Sequence, residues 1–265
     1  MSSASTFRQL HDNTSPLLLP NAWDAGSARL IESLGAPAIA TTSAGFAWAL
    51  GYPDGRMLPF DEVVASVRRI VRVLNVPLSV DIEHGYSDDP RTVADNVMRL
   101  VDLGIAGINI EDGSDPASLL ASKIEATRRL AANSGSDLFI NARSDVFLAN
   151  LAEKSKQPEE SIARGNLYAS AGADGLFLPA LAQPSDIEAI VGATRLPLNV
   201  MAVPGLADAA TLGKLGVRRL SAGSGLSQVV LGKAKAIAQD FLENGGSAAF
   251  SDHPLPYSEI QNLFV

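Results

Sequence analysis

Residues 77–86 read PLSVDIEHGY, and the prediction of the fold depends on this stretch. A short apolar run follows Pro77 and is typical of a buried strand. It ends in two carboxylates, Asp81 and Glu83, which are two residues apart and would lie on one face of a strand. Neighbouring acids at the end of an apolar strand repel each other and lose solvation. A divalent cation is the simplest group that would offset this cost.

Two later segments repeat the pattern. The sequence GINIED contains Asn109 and Glu111, and the sequence FINARSD contains Asn141 and Arg143, again two residues apart. Three successive predicted strands therefore end in a polar pair on one face. Polar groups that converge at the carboxyl ends of neighbouring parallel strands form the sites of α/β proteins.

Composition limits the class of protein. The chain has 265 residues, 46% of them hydrophobic, which suits one large α/β barrel, and a net charge of −8, which argues against nucleic-acid binding. No apolar run is long enough to span a membrane, and residues 1–15 lack an apolar signal core. The absence of cysteine excludes disulfides, zinc–thiolate sites and thiol catalysis. A cytoplasmic location is expected by default.

Strand patterns alternate with helix patterns along the chain. The predicted strands are 17–23, 37–42, the stretch 77–86, 107–110, 138–142, 175–178, 196–201 and 218–222. The predicted helices are 25–34, 60–74, 91–103, 117–133, 158–171, 184–194, 207–215 and 225–244. Eight such units predict a (β/α)8 TIM-type barrel as a single domain, 1–265, with 245–265 as a tail that packs on the barrel or on a neighbouring subunit. The alternative, a doubly wound sheet, is disfavoured because no G-x-G-x-x-G follows the first strand.

The acidic residues Asp81, Glu83 and Glu111 are candidate metal ligands. Oxygen ligands without histidine or cysteine favour Mg²⁺ or Mn²⁺. The alternative is a buried carboxylate network paired with Arg143. Arg143 itself suits a substrate carboxylate, which its guanidinium would bind with two hydrogen bonds, or it pairs with Glu111 alone.

Small residues follow the second predicted strand. Ser43, Ala44 and Gly45 form a predicted loop whose backbone N–H groups would face an anion, although any tight turn needs small residues. Asp54 lies in the sequence GYPDG, which is ordinary turn chemistry. His84 would either cap the third strand or face the site.

Taken together, these motifs resemble the phosphoenolpyruvate mutase/isocitrate lyase superfamily. The resemblance covers most of the chain and rests on PNAWD (20–24), TTSAG (41–45), VDIEHGY (80–86), GINIED (107–112), NARSD (141–145), AGAD (171–174) and GVRRLS (216–221). It implies an α/β barrel whose last helix is exchanged between subunits, in a dimer or a dimer of dimers (a homotetramer). It also implies Mg²⁺ near Asp81, held partly through water, with Glu83 and Glu111 in the same shell.

The resemblance further implies roles for individual side chains. Ser43, Ala44 and Gly45 would bind the carboxylate or oxyanion side of a 2-keto acid, Arg143 another anionic group, and Trp23 would form a pocket wall. The expected substrate-binding residues are Trp23, Ser43, Ala44, Gly45, Asp81, Asn109, Asn141 and Arg143. The expected catalytic residues are Asp54, Glu111 and Arg143, with Asp54 approaching the reacting centre.

Departures from the family pattern select among its activities. Isocitrate and methylisocitrate lyases carry a Lys-Lys/Arg-Cys-Gly-His loop after the fourth strand, and the mutases and related hydrolases use a loop with Lys and Asn. Here residues 113–118 read GSDPAS and contain neither the Cys and His of the first loop nor the Lys and Asn of the second. Glu83 also stands where several relatives have Asp, so the longer side chain would shift the metal or one of its waters.

What remains is a Mg²⁺-dependent lyase that acts on a small 2-keto or 2-hydroxy di- or tricarboxylic acid through an enolate. Oxaloacetate-type decarboxylation and another C–C cleavage both fit, with solvent, Tyr52 or His84 as the proton donor. The alternatives are a mutase or hydrolase of P–C bonds and a non-catalytic dicarboxylate-binding protein.

Overall fold

The fold, in a computed structural model that describes residues 2–265, is a nearly closed barrel of parallel strands with alternating helices. The first predicted strand is split at Pro20 into β1 (Leu17–Leu19) and β2 (Asn21–Ala22). β1 pairs with the last strand and β2 pairs with the next one, so the two pieces close the ring. Proline has no N–H for the ladder, which explains the break. The predicted TIM-type barrel is confirmed.

The strands lie close to their predicted positions. They continue as β3 (Ile39–Thr41), β4 (Leu78–Asp81), β5 (Gly107–Glu111), β6 (Phe139–Arg143), β7 (Gly175–Leu178), β8 (Leu198–Met201) and β9 (Val217–Ser221). The helices are α1 (Ser3–Gln9), α2 (Ala25–Ser33), α3 (Ser43–Ala49), α4 (Phe60–Val71), α5 (Pro90–Val101), α6 (Ala117–Asn133), α7 (Gln157–Ala171), α8 (Pro184–Ala193), α9 (Ala209–Lys214), α10 (Gly225–Asn244) and α11 (Tyr257–Asn262). Two 3₁₀ turns cover Lys154–Lys156 and Ala248–Ser251.

Apolar and polar side chains alternate along the strands, so the apolar core and the polar site lie on opposite faces of the sheet. On β5, Ile108 and Ile110 belong to the main apolar core of the barrel, which also includes helix residues such as Val97 of α5. Asn109 and Glu111 are the intervening residues, and their side chains meet polar partners from β4 and β6. Because successive side chains of a strand point to opposite faces, one short strand contributes apolar residues to the outer core and polar residues to the interior of the barrel.

Two local expectations were wrong. The third strand ends at Asp81 and not at Tyr86, because the backbone turns left-handed at Glu83 (φ 49°) and Tyr86 (φ 62°). Glu83 therefore does not share a strand face with Asp81. The predicted loop at 43–45 is the first turn of α3, whose residues Ser43–Ala47 are all buried. Burial against the barrel outweighs the low helix propensity of Gly45.

The amino end of the barrel is closed by α1, which the sequence patterns did not predict. Phe7 is fully buried among Leu17, Leu19 and Phe139 in a second, smaller core. Arg8 holds α1 in place through ion pairs with Asp137 and Asp174. A seven-residue helix has too little periodicity to be recognised alone.

The carboxyl-terminal helices lie on the outside. α10 buries only Ser227 of its 20 residues. Beyond it, Arg29 Nε donates a 2.6 Å hydrogen bond to the carbonyl oxygen of Leu263. No helix within residues 2–265 combines the length and the apolar character that crossing a bilayer requires.

Candidate functional site

Asp81 is the centre of the candidate site, at the carboxyl end of β4. Its Oδ2 accepts hydrogen bonds from the backbone N–H (3.0 Å) and the hydroxyl (2.8 Å) of Ser43 at the start of α3. Its Oδ1 accepts one from Asn109 Nδ2 at 3.1 Å. Asp81 is thus fixed by donors from two neighbouring elements, and its carboxylate faces the first turn of α3.

Amide side chains extend this contact across two more strands. Asn109 lies opposite Asp81 in the β4–β5 register, and Asn141 lies opposite Asn109 in the β5–β6 register. Asn141 Nδ2 donates to Asn109 Oδ1 at 3.1 Å, and Asn109 in turn donates to Asp81. This chain orients the amide of Asn109 so that its oxygen faces Asn141 and its nitrogen faces the carboxylate.

Arg143 ends β6 and is clamped between two carboxylates. Its Nη1 lies 2.8 Å from Glu111 Oε2, and its Nε and Nη2 donate to Asp145 at 2.7 and 3.0 Å. Burial alone would lower the pKa of Arg143, but Glu111 and Asp145 outweigh burial and raise it above its ordinary value. Burial, opposed by Arg143 and reinforced by Asp81, raises the pKa of Glu111 to about 8.

A buried network behind β5 fixes this clamp. Asp112 Oδ1 accepts from the backbone N–H of Asp145 at 2.9 Å. Its Oδ2 accepts from Tyr168 Oη (2.5 Å) and Arg164 Nη1 (2.8 Å), both on α7. Asp112 therefore ties α7 to the turn that carries the partner of Arg143.

Glu83 lies in the loop after β4 and is buried. Burial raises its pKa, while hydrogen bonds from Arg56 N (2.5 Å) and Tyr86 Oη (3.1 Å) oppose that shift. His84 is also buried, its Nδ1 has no partner within the described chain, and burial with Arg56 and Lys123 lowers its pKa to about 4. A neutral His84 would not be a strong proton donor.

A cavity of about 240 Å³ opens at this end of the barrel. The predicted site residues that line it are Ser43, Ala44, Asp54, Asp81, Asn109 and Arg143. That lining does not include five of the predicted residues, Trp23, Gly45, Glu83, Glu111 and Asn141, whose roles stay predictions. Tyr52 and His84 do not line it either.

The carboxylates around the cavity suit a hard cation held mainly through water. Within residues 2–265, no three acidic or histidine side chains converge closely enough to be direct ligands together. Burial is the main cause of the raised pKa of Glu111, and the nearby carboxylates of Asp81 and Glu83 add to it. Mg²⁺ retains several waters and typically uses one or two carboxylates, so this donor set fits it.

The sequence patterns missed several residues of the site. Asp112 and Asp145 follow β5 and β6 but were not recognised as the supports of Arg143. Arg219 lines the cavity from β9, where it is the inward residue of an alternating buried and half-buried strand. The signal in the sequence was an arginine inside a predicted strand, although its isolation depends on the rest of the barrel.

A family model and two relatives of known sequence match most of the chain. A family model described as phosphoenolpyruvate phosphomutase matches residues 7–242. The chain is 37% identical over 265 residues to an uncharacterized protein of Mycobacterium tuberculosis (strain ATCC 25618 / H37Rv), covering 98% of this chain and 96% of that one. It is 34% identical to the oxaloacetate decarboxylase of Paraburkholderia xenovorans (strain LB400), covering 84% and 77%.

Solved structures agree on the architecture. Phosphoenolpyruvate phosphomutase from Streptomyces platensis subsp. rosaceus superposes with a TM-score of 0.85 at 23% identity, covering 98% of this chain and 94% of that one. At this identity the likeness concerns the fold alone.

Proposed function

The chain belongs to the phosphoenolpyruvate phosphomutase family, within the superfamily of phosphoenolpyruvate mutases and isocitrate lyases, and we propose that it is a Mg²⁺-dependent carbon–carbon lyase. Its substrate would be a small 2-keto or 2-hydroxy di- or tricarboxylic acid, cleaved through an enolate. The similarity to an oxaloacetate decarboxylase supports oxaloacetate-type decarboxylation or a related cleavage.

One observation carries this proposal. Ser43, Asp81 and Arg143 line one cavity, and the described residues that line it include no cysteine, histidine, lysine or tyrosine. Cleavages that need such a side chain as acid or nucleophile are therefore disfavoured. A cleavage driven by electrostatic stabilisation of an enolate needs only fixed charges and dipoles.

The chain's own residues would bind and orient the substrate. Arg143 would bind a carboxylate, since Glu111 and Asp145 already fix the plane of its guanidinium. Ser43 donates its backbone N–H and its hydroxyl to Asp81 in this structure, and it would turn them to the oxygen that gains charge when a cation holds Asp81 instead. In a decarboxylation the C–C bond to the leaving carboxylate breaks, CO₂ departs, and the electron pair remains on the enolate. Solvent then protonates that carbon, because Tyr52 and His84 are outside the cavity lining.

The proposed metal, Mg²⁺ or Mn²⁺, would be held by Asp81 directly and by Glu83 and Glu111 mainly through water. When bound, it would supply positive charge that stabilises the enolate. Asp54 lines the cavity and is proposed to approach the reacting centre.

The test is release of pyruvate or another keto acid from a panel of C4 to C7 keto and hydroxy acids, with Mg²⁺ or with EDTA. We expect turnover that EDTA abolishes. Asp81→Ala should abolish both turnover and Mn²⁺ binding measured by calorimetry, and unchanged activity in that variant would refute the metal role. Release of phosphate or turnover of phosphonates would favour a P–C mutase or hydrolase, and metal-linked binding without product would favour a non-catalytic dicarboxylate-binding protein.

We also propose that the protein works in the cytoplasm as a homo-oligomer, a dimer or a dimer of dimers, without nucleic-acid or membrane partners. In that assembly α10 would be exchanged between subunits, and the tail 245–265 would pack on the barrel or on the neighbouring subunit. The exposed apolar side chains of α10 support this proposal.

A further inference from the structure

Arg219 is a buried charge without an ion-pair partner. Only 3% of the residue is exposed, and it is the one arginine in the described chain that is classed as buried. Its hydrogen bonding within that part of the chain consists of one 3.0 Å bond from Nε to Ser221 Oγ, and its Nη1 has no partner. No carboxylate of residues 2–265 lies within ion-pair distance of it, unlike Arg143 in the same cavity.

The surroundings of Arg219 explain how it is held but leave its charge uncompensated. Below it, the guanidinium carbon lies 5.9 Å from the centre of the Phe7 ring of α1. Beside it, Asn199 lies opposite Arg219 in the β8–β9 register, and its Nδ2 is also a buried polar atom without a partner in the described chain. Burial lowers the pKa of Arg219 to about 10, against the attraction of Asp81, so the group stays charged at neutral pH.

A charged group in this position is costly unless something negative meets it. Arg219 lines the cavity that also holds Ser43, Asp81 and Arg143, so an anion entering the cavity would reach it. Arg143 is already shared by two carboxylates, whereas Arg219 has donors to spare. The two arginines therefore have different capacities for a new anionic group.

We propose that Arg219 binds a second carboxylate of the substrate at the floor of the cavity and so selects diacids over monoacids. The inference rests on the proposed function, because it names the residue of the same site that would select substrates with a second carboxylate. A carboxylate that is held by a guanidinium is stabilised as an anion and resists loss as CO₂. The favoured substrate accordingly keeps that group in a product, as in C–C cleavage of a 2-hydroxy diacid.

The test compares malate with 2-hydroxybutyrate, which have the same chain length but differ by one terminal carboxylate. Binding to the full-length protein is measured by calorimetry in Mg²⁺, without any need for turnover. Wild type should bind malate at least about tenfold more tightly. Arg219→Met should remove this preference and leave the affinity for 2-hydroxybutyrate within about twofold, while Arg219→Lys should retain part of it.

Two controls separate binding from folding. Arg218→Met changes the neighbouring, half-exposed arginine of the same strand and should leave the preference intact. If Arg219 had a purely structural role, Arg219→Met would lower the melting temperature of the ligand-free protein. We expect an equal or higher melting temperature, since the variant removes an uncompensated charge, together with loss of the malate-induced increase.

The outcomes distinguish this inference from the proposed function. If wild type shows no preference for malate, or if Arg219→Met keeps it, the inference is wrong even where the enzyme turns over keto acids. If no acid on the panel is cleaved but the preference exists and depends on Arg219, the inference stands and the lyase proposal fails.

Discussion

At the scale of single residues, Arg143 depends on the shape of its guanidinium as well as its charge. Glu111 and Asp145 bind three of its nitrogens, and its Cζ lies 5.9 Å from the centre of the Phe177 ring. A lysine ammonium is a point charge that would satisfy neither the fork geometry nor the stacking. The buried acids around it would then be left partly unpaired.

Arg143→Lys should therefore weaken substrate binding more than metal binding. We expect the KM to rise about tenfold or more, which is the effect of losing a charged hydrogen bond of ~1.5 kcal/mol or greater. Mn²⁺ affinity, measured by calorimetry, should change about twofold or less. Arg91→Lys, on an exposed part of α5, is the matched control and should alter neither. Equal losses in both measurements would contradict the assigned role.

Residue-level prediction from the sequence succeeded where a short local pattern was sufficient. The spacing of Asn141 and Arg143 located both on β6, and Asp81 lies at the end of β4 as expected. Asp112 could not be recognised, because its partners Arg164 and Tyr168 come from a helix more than 50 residues later. Arg219 was missed for the same reason, since its isolation depends on what the rest of the barrel brings near it.

At the scale of elements, α3 is positioned by Gly45. A Cβ at this glycine would lie 2.6 Å from Trp23 Cβ and 2.8 Å from Thr42 Cγ2, distances that real Cβ atoms essentially never show. The first turn of α3 can therefore approach β2 and β3 only with glycine in this place. This explains the small residues of 43–45 better than the loop that the sequence suggested.

Gly45→Ala should push α3 away from Asp81. We expect a loss of about 1–3 kcal/mol in the free energy of unfolding, as for overpacked cores, and weaker substrate binding because Ser43 moves. Urea denaturation and calorimetry measure the two effects. Gly192→Ala is the control: this glycine of α8 has open space around it, so the same change should stabilise by about 0.5–1 kcal/mol. A fully stable, fully active Gly45→Ala protein would show that the close approach does not matter.

His11, which follows α1, makes the stability of the folded protein depend on pH. Its ring stacks on Phe139 at 4.3 Å, its Nδ1 lies 2.9 Å from the Phe7 carbonyl oxygen, and its Nε2 has no partner in the described chain. Burial, reinforced by Arg219 and Arg8 and opposed by the hydrogen bond to Phe7, lowers the pKa of His11 to about 3. His11 is therefore neutral in the folded protein at pH values where the unfolded chain binds a proton.

This difference makes stability fall as the pH falls. The free energy of unfolding that depends on His11 is highest above the pKa of about 6.5 that histidine has in the unfolded chain. It decreases toward pH 3, by about 2 kcal/mol between pH 7 and pH 5. His84 acts in the same direction, so the measurement is the difference in slope between wild type and His11→Phe in urea denaturation. His253→Phe, at an exposed histidine, should leave the slope unchanged. Parallel curves for wild type and His11→Phe would contradict the assignment.

At the scale of the whole molecule, the alternation of patterns was enough to predict the barrel. Most of the parallel strands are buried on both faces, and glycines follow several of the helices, so the alternation of strands and helices can be recognised from the sequence. The short helices α1, α3 and α11 were not predicted, whereas the equally short α9 was, because α9 alone is the single helix between two strands of the regular βα alternation. The broken first strand was likewise hidden, since only closure of the ring reveals the separate partners of β1 and β2.

The exposed surfaces of α10 and α11 predict that the chain assembles with other copies of itself. α10 would be about 30 Å long at 1.5 Å per residue, yet it buries one side chain. Apolar residues remain exposed on it and on α11, namely Leu226, Val229, Val230, Leu231, Phe241, Leu242, Tyr257 and Ile260. Monomeric proteins rarely expose so many large apolar side chains on their last helices, so a second copy of the chain is expected to cover them.

Wild type should therefore sediment as a dimer or tetramer, and Leu226→Lys combined with Val230→Lys should shift it toward monomer. These two residues are four apart on one face of α10, so the paired charges would be buried in any interface that this face makes. Leu34→Lys places the same charge on an apolar residue that is 79% exposed elsewhere and should leave the assembly unchanged. Sedimentation velocity over a range of protein concentrations measures the outcome. A monomeric wild type, or a double variant that assembles as the wild type does, would mean that α10 is not the contact between subunits.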